Sequence, residues 1–128
     1  MIVAGIGSKR GVSREEVLAA LDAALVRAAL ARTDVALIAT PAVKGGEAGI
    51  SEAAAHLGLP LVLVPQTQLE AMSGRTQTRS ERVVALLRVP SAAETAALAA
   101  AGPVAQLLGP RLALGPVTCA LARGGEEA

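Results

Sequence analysis

The chain has 128 residues, 52% apolar and 18% charged, and size scaling expects about two-thirds of its extended surface to be buried in one compact domain over residues 1–128. It has no Phe, Tyr or Trp to stack nucleobases, and twelve Lys and Arg against eleven Asp and Glu leave no overall field for a polyanion, so nucleic acid is not expected as a partner. One Cys and one His neither close an internal disulfide nor fill a structural zinc site, so no metal is expected.

Residues 2–6 form an apolar run that ends in Gly5-Ile6-Gly7, the pattern of a buried strand entering a tight loop. Ser13 followed by Glu16 reads as a capping box and opens a helix predicted over residues 14–31, with Val17, Leu18, Leu21, Leu25 and Leu30 at near-helical spacing. A second strand is expected over residues 35–40, closed by Pro41, and Val43-Lys44-Gly45-Gly46 reads as a flexible loop. An Ala-rich helix over residues 47–57 stops before Gly58, and Leu61 to Val64 gives a third strand stopped by Pro65. Continuous apolar strands joined through helices suit a parallel sheet covered on both faces.

Farther along, residues 66–72 read as one or two helical turns, residues 73–80 as a polar mobile loop, and Glu81–Leu87 as a helix. Ser91 with Glu94 repeats the capping-box pattern and opens an Ala-rich helix that ends at Gly102-Pro103. Residues 106–108 and 117–122 are the last strand candidates, and residues 124–128 form a polar tail. No apolar run reaches the length of a membrane span and no secretory signal is visible, so a cytoplasmic protein without a membrane partner is expected.

The segment Gly5-Ile6-Gly7-Ser8-Lys9-Arg10-Gly11-Val12-Ser13 lies between the first strand and the first helix, where open α/β sheets place ligands. Three residues separate Gly7 from Gly11, one too many for a dinucleotide fingerprint, and no Gly-Lys-Ser/Thr precedes the helix as a Walker loop requires. What remains is either a plain strand-to-helix turn or an anion-friendly one, with backbone N–H groups beside Lys9 and Arg10. Lys44 and Glu47 follow the second strand, so a parallel sheet opens their loop on the same edge. Arg75, Arg79, Arg82 and Arg88 punctuate a stretch whose only acid is Glu81, which suits a solvated face or a basic rim. His56 sits at a helix end, where the dipole explains it. Cys119, in the last apolar strand with no base placed for it, reads as a small buried hydrophobe. The adjacent pairs Glu15-Glu16 and Glu126-Glu127 do not form a two-carboxylate site.

In chain order, the Gly5 to Ser13 segment, Ala39-Thr40 with Lys44 and Glu47, Ala53-Ala54 through Gly58-Leu59-Pro60, Val89-Pro90-Ser91 with Glu94 to Leu98, and the terminal Val117-Thr118-Cys119-Ala120-Leu121-Ala122-Arg123 resemble the CobE and CbiG C-terminal family of cobalamin-biosynthesis proteins. Ser8 stands where that family often carries Cys, so no thiol chemistry is expected at this loop. The resemblance implies a three-layer α/β/α sandwich with a mainly parallel, mixed sheet of about five strands. It also implies a place in corrin-ring assembly, binding or handing on a corrin or precorrin intermediate. The ligand-binding residues it suggests are Gly7, Ser8, Lys9, Arg10, Gly11, Ser13, Lys44, Glu47 and Thr118, with no cofactor. Two other roles stay open: a hydrolase opening a precorrin lactone through Ser13, Lys44, Glu47 or Thr118, and an interaction module for the pathway methyltransferases.

Overall fold

The computed structural model describes residues 1–125; the end of the expected polar tail, with Glu126 and Glu127, lies outside the described residues. The strands are β1 (Ile2–Ser8), β2 (Val35–Pro41), β3 (Leu61–Val64), β4 (Gln106–Leu107), β5 (Leu112–Leu114) and β6 (Val117–Arg123). The helices are α1 (Arg14–Arg27), α2 (Ala48–Leu57), α3 (Gln66–Ala71), α4 (Glu81–Leu87) and α5 (Ala92–Ala101). The strand order is β3-β2-β1-β6-β4, with β5 also paired to β6. The β1, β2 and β3 ladders are parallel, while β6 lies antiparallel to β1, β4 and β5, so β6 alone opposes the common strand direction.

Alternation along β1 divides the core into two layers. Ile2, Ala4 and Ile6 face α1 and α2, where Val17, Leu21, Ile38, Ile50 and Cys119 pack with them. Val3 and the β6 residues Ala120 and Ala122 face α5, where Ala93, Ala96, Ala97 and Leu98 are buried. The three-layer sandwich therefore has the expected architecture, and each fully buried Leu or Ile contributes about 1.5–3 kcal/mol. Lacking aromatic bulk, the α5 layer gains contact by close approach: a Cβ on Gly5 would lie 2.1 Å from the Ala93 carbonyl oxygen. Only glycine at that β1 position lets an alanine-faced helix sit directly on the strand.

The Ser13–Glu16 capping box forms in full, but α1 ends at Arg27, short of the expected residue 31. Ala29 takes a left-handed φ of 58° and the Leu30 N–H donates to the Leu25 carbonyl at 2.9 Å, turning the chain back toward β2. The return to the sheet overrides the helix propensity of the alanines, which is a weak force by comparison. The expected flexible loop at Val43-Lys44-Gly45-Gly46 begins as a 3₁₀ turn over Ala42–Lys44, with Lys44 and Gly45 half-buried. Residues 73–80, expected to be mobile, start with a 3₁₀ turn at Ser73–Arg75 and are pinned from both sides. The Arg75 guanidinium donates to the Pro103 and Ala105 carbonyls, and the Gln77 and Thr78 N–H groups donate to Glu94. β5 is an addition to the strands expected from the sequence; it forms a hairpin with β6 through Gly115 and Pro116.

Candidate functional site

The parallel strands deliver their carboxyl ends to one edge, and there the chain encloses a cleft of about 700 Å³. The loop after β1 supplies Gly7, Ser8, Lys9 and Arg10, and the turn after β2 supplies Val43, Lys44 and Glu47. α4 adds Arg82, Val83, Leu86 and Leu87, while the hairpin between β5 and β6 adds Gly115, Pro116 and Thr118, with Arg111 just before it. Seven of the nine residues singled out in the sequence thus share one cavity: Gly7, Ser8, Lys9, Arg10, Lys44, Glu47 and Thr118.

Gly11 and Ser13 are exposed and do not line the cleft. Ser13 Oγ accepts the Glu16 N–H at 3.0 Å, so its hydroxyl is engaged at the head of α1. The Gly11 N–H donates to Glu47 Oε1 at 2.9 Å and ties the β1 loop to the β2 turn. Among the described residues Glu47 is the only acid lining the cleft, and one of its oxygens is already committed to this tether.

The cations lining the cleft differ from most of the others. Among the described residues, Lys9, Arg10, Lys44, Arg82 and Arg111, all lining the cleft, make no salt bridge and donate no side-chain hydrogen bond. Away from it, Arg14 pairs with Glu15, Arg32 with Asp22 and Arg79 with Glu81, and Arg27 and Arg75 reach backbone carbonyls, while Arg88 and Arg123 do neither among the described residues. Of the arginine run from Arg75 to Arg88, only Arg82 reaches the cleft; Arg88 caps α4 in a left-handed conformation and lines a smaller pocket beside it. Arg82 belonged to an evident basic run, but nothing local distinguished it from Arg79. Arg111 loosely matches the basic residue that the resembled family carries before its last strand, but its place in the cleft depends on the β5–β6 hairpin, whose Leu-Ala-Leu-Gly-Pro-Val pattern was the available clue.

The remaining chemistry-bearing residues lie elsewhere. His56 is exposed in the last turn of α2, away from the cleft lining. Cys119 points from β6 into the α1–α2 layer, fully buried, and burial pushes its thiol pKa up to about 12. No group of three or more His, Cys, Asp or Glu able to hold a metal ion occurs among the described residues. No single described helix is long and apolar enough to cross a membrane.

Fold and cleft together define a three-layer α/β domain with a cation-rimmed cavity at the carboxyl edge of its parallel strands. The chain belongs to the family described as "Cobalamin synthesis G C-terminus", which it matches over residues 2–122. It is 35% identical over 121 residues to Protein CobE of Sinorhizobium sp., covering 94% of this chain and 79% of that protein. A crystal structure of CobE, from the cobalamin (vitamin B12) biosynthetic pathway, superimposes with a TM-score of 0.92 at 30% identity, over 96% of this chain and 89% of that one. The cobalamin biosynthesis protein chiG from Agrobacterium tumefaciens gives a TM-score of 0.79 at 38% identity, over 98% of this chain and all of that one (100%). This chain is accordingly a cobalamin-biosynthesis protein.

Proposed function

We propose that the cleft binds an anionic corrin or precorrin intermediate and holds it for the next step of ring assembly. The observation that carries this reading is the set of five cations lining one cavity without a partner. Elsewhere in the chain, arginines mostly find a carboxylate or a carbonyl; Lys9, Arg10, Lys44, Arg82 and Arg111 wait for an acceptor from outside. A corrin intermediate presents acetate and propionate carboxylates around an apolar ring. Val43, Val83, Leu86, Leu87 and Pro116 offer apolar surface to the ring, while the five cations meet its rim. A charge-assisted hydrogen bond contributes about 1.5–3 kcal/mol where it is partly desolvated, so two or three supply about 3–9 kcal/mol toward the roughly 8 kcal/mol of micromolar affinity, and apolar contact with the ring adds to them.

Among the described residues the lining contains no His or Cys, and its one carboxylate is tethered to Gly11, which favours binding over hydrolysis. Titration with cobyrinic acid, a corrin whose acetate and propionate arms end in free carboxylates, tests the reading. The chain has no Trp, Tyr or Phe, so visible and near-ultraviolet changes report the ligand almost alone. Saturable binding that weakens with salt is expected; its absence from the folded protein at low salt overturns the proposal. Acetaldehyde released from a lactone-bearing precursor in proportion to protein would replace it with the hydrolase reading.

A further inference from the structure

Glu94 is fully buried in the first turn of α5, yet it does not close the capping box that its spacing from Ser91 suggests. Ser91 Oγ accepts the Glu94 N–H at 3.1 Å as expected, but the carboxylate turns away from the helix. Oε1 accepts the Gln77 and Thr78 N–H groups at 2.8 and 3.1 Å. Oε2 accepts the Thr78 hydroxyl at 3.0 Å and the Arg111 N–H at 2.8 Å. One carboxylate thus gathers four donors from two segments far apart in sequence. Among the described residues no hydrogen bond joins those two segments directly.

Both segments build the cleft. Thr78 stands two residues before Ser80, which caps α4 and so sets where Arg82 stands; Arg111 is fixed by its own backbone and presents its side chain to the cavity. We propose that Glu94 is the positioning residue of the cleft, a buried clasp that holds the Arg82 and Arg111 walls at the separation the ligand needs. A buried carboxylate is costly unless its oxygens are satisfied, and here only the closed arrangement of both loops satisfies them. The clasp therefore favours one geometry of the cation rim over all others. The proposal rests on the reading of the cleft as a corrin site.

The test combines amide hydrogen exchange with a double-mutant cycle. Glu94→Gln keeps the shape but turns N–H groups toward donors, and Thr78→Val removes one donor while keeping the fold within reach. Exchange at Gln77, Thr78 and Arg111 should accelerate by about ten-fold or more in Glu94→Gln and by less in Thr78→Val. Cobyrinic acid affinity should fall by about ten-fold in Glu94→Gln, and by less when Arg111→Ala is already present, because part of the effect of Glu94 runs through that wall and the rest through Arg82. If Glu94→Gln does not fold, the same pattern at reduced size in Thr78→Val carries the test. Unchanged affinity in a folded but less stable variant, or full additivity with Arg111→Ala, overturns the proposal. A wild-type protein that ignores cobyrinic acid sinks the functional reading instead, and the exchange rates alone then decide the clasp.

Discussion

Gly11 and Glu47, thirty-six positions apart, are joined by a 2.9 Å hydrogen bond from the glycine N–H to the glutamate carboxylate. The bond fastens the loop bearing Lys9 and Arg10 to the turn bearing Lys44. Close packing reinforces it: a Cβ on Gly49, at the start of α2, would lie 2.2 Å from the Val12 carbonyl oxygen. The two loops are therefore one wall, and Glu47 serves it twice, as a tether and as the one negative charge among the described residues of the cleft lining.

These two roles separate under substitution. Glu47→Gln keeps a carbonyl to accept the Gly11 N–H and removes the charge, so stability should change by less than about 1 kcal/mol while cobyrinic acid binds a few-fold tighter, as expected for roughly 0.5–1 kcal/mol of repulsion across solvent. Glu47→Ala loses the tether as well and should be less stable by about 0.5–1.5 kcal/mol. Thermal melts beside ligand titrations of both variants check this; tighter binding by neither would remove Glu47 from the ligand's field.

Arg10→Ala or Lys44→Ala should each weaken binding by about ten-fold or more without unfolding the protein, and raising salt should reduce wild-type affinity, since exposed contacts are screened over about 10 Å at 0.1 M. Arg32→Ala is the suitable control. Arg32 pairs with Asp22 at 2.8 Å and precedes β2, at the end of the sheet remote from the cleft. Arg27, on α1, is less neutral because it donates to the Pro110 carbonyl, next to Arg111. Equal affinity in both cleft variants and wild type would move the site elsewhere.

The Asp22–Arg32 pair also yields a pH signature. Its hydrogen bond to Arg32 holds the Asp22 carboxyl below its ordinary 3.8. A lowered folded pKa gives stability that is present above 3.8 and lost as pH falls through the folded value. The pair is nearly half exposed, so the contribution is at most about 1 kcal/mol. Asp22→Asn should cost that much or less at neutral pH and low salt, and the gap in denaturant midpoint should close in acid.

Cys119 behaves oppositely. Burial raises its pKa to about 12, so the contribution of the neutral thiol is present below the ordinary value of 9.0 and is lost as pH rises toward 12. Alkylation at pH 8 should be negligible until denaturant is added, and stability should decline above about pH 9 in wild type more than in Cys119→Ala. That variant should fold at a cost of about 1–3 kcal/mol and retain ligand binding. Rapid alkylation of the folded protein would contradict its burial.

The elements legible in the sequence were those written in local chemistry. The capping box at Ser13, Pro65 after β3 and the left-handed Gly58 mark boundaries that the fold keeps, and Pro41, expected just beyond β2, is its last residue. The loops carrying Lys9, Arg10 and Lys44 were placed together because parallel strands share an edge. What stayed hidden depended on partners distant in sequence. Ser91-x-x-Glu94 is spelled as a capping box, and only the tertiary position of Thr78 and Arg111 draws the carboxylate away. Likewise, the end of α1 at Arg27 and the left-handed turn at Ala29 are set by the return to β2, against the propensity of the local residues.

The sheet's pairing order carries a consequence for synthesis. β1 lies at the centre, bonded on one side to β2, yet its other neighbour is β6, whose register sets Ile2 opposite Arg123. In the nascent chain β1 therefore keeps one open edge until Val117–Arg123 emerge. Nascent chains stopped before Val117 should display that edge, stay sensitive to protease and recruit chaperones, and adding residues 117–123 should abolish both effects in a single step.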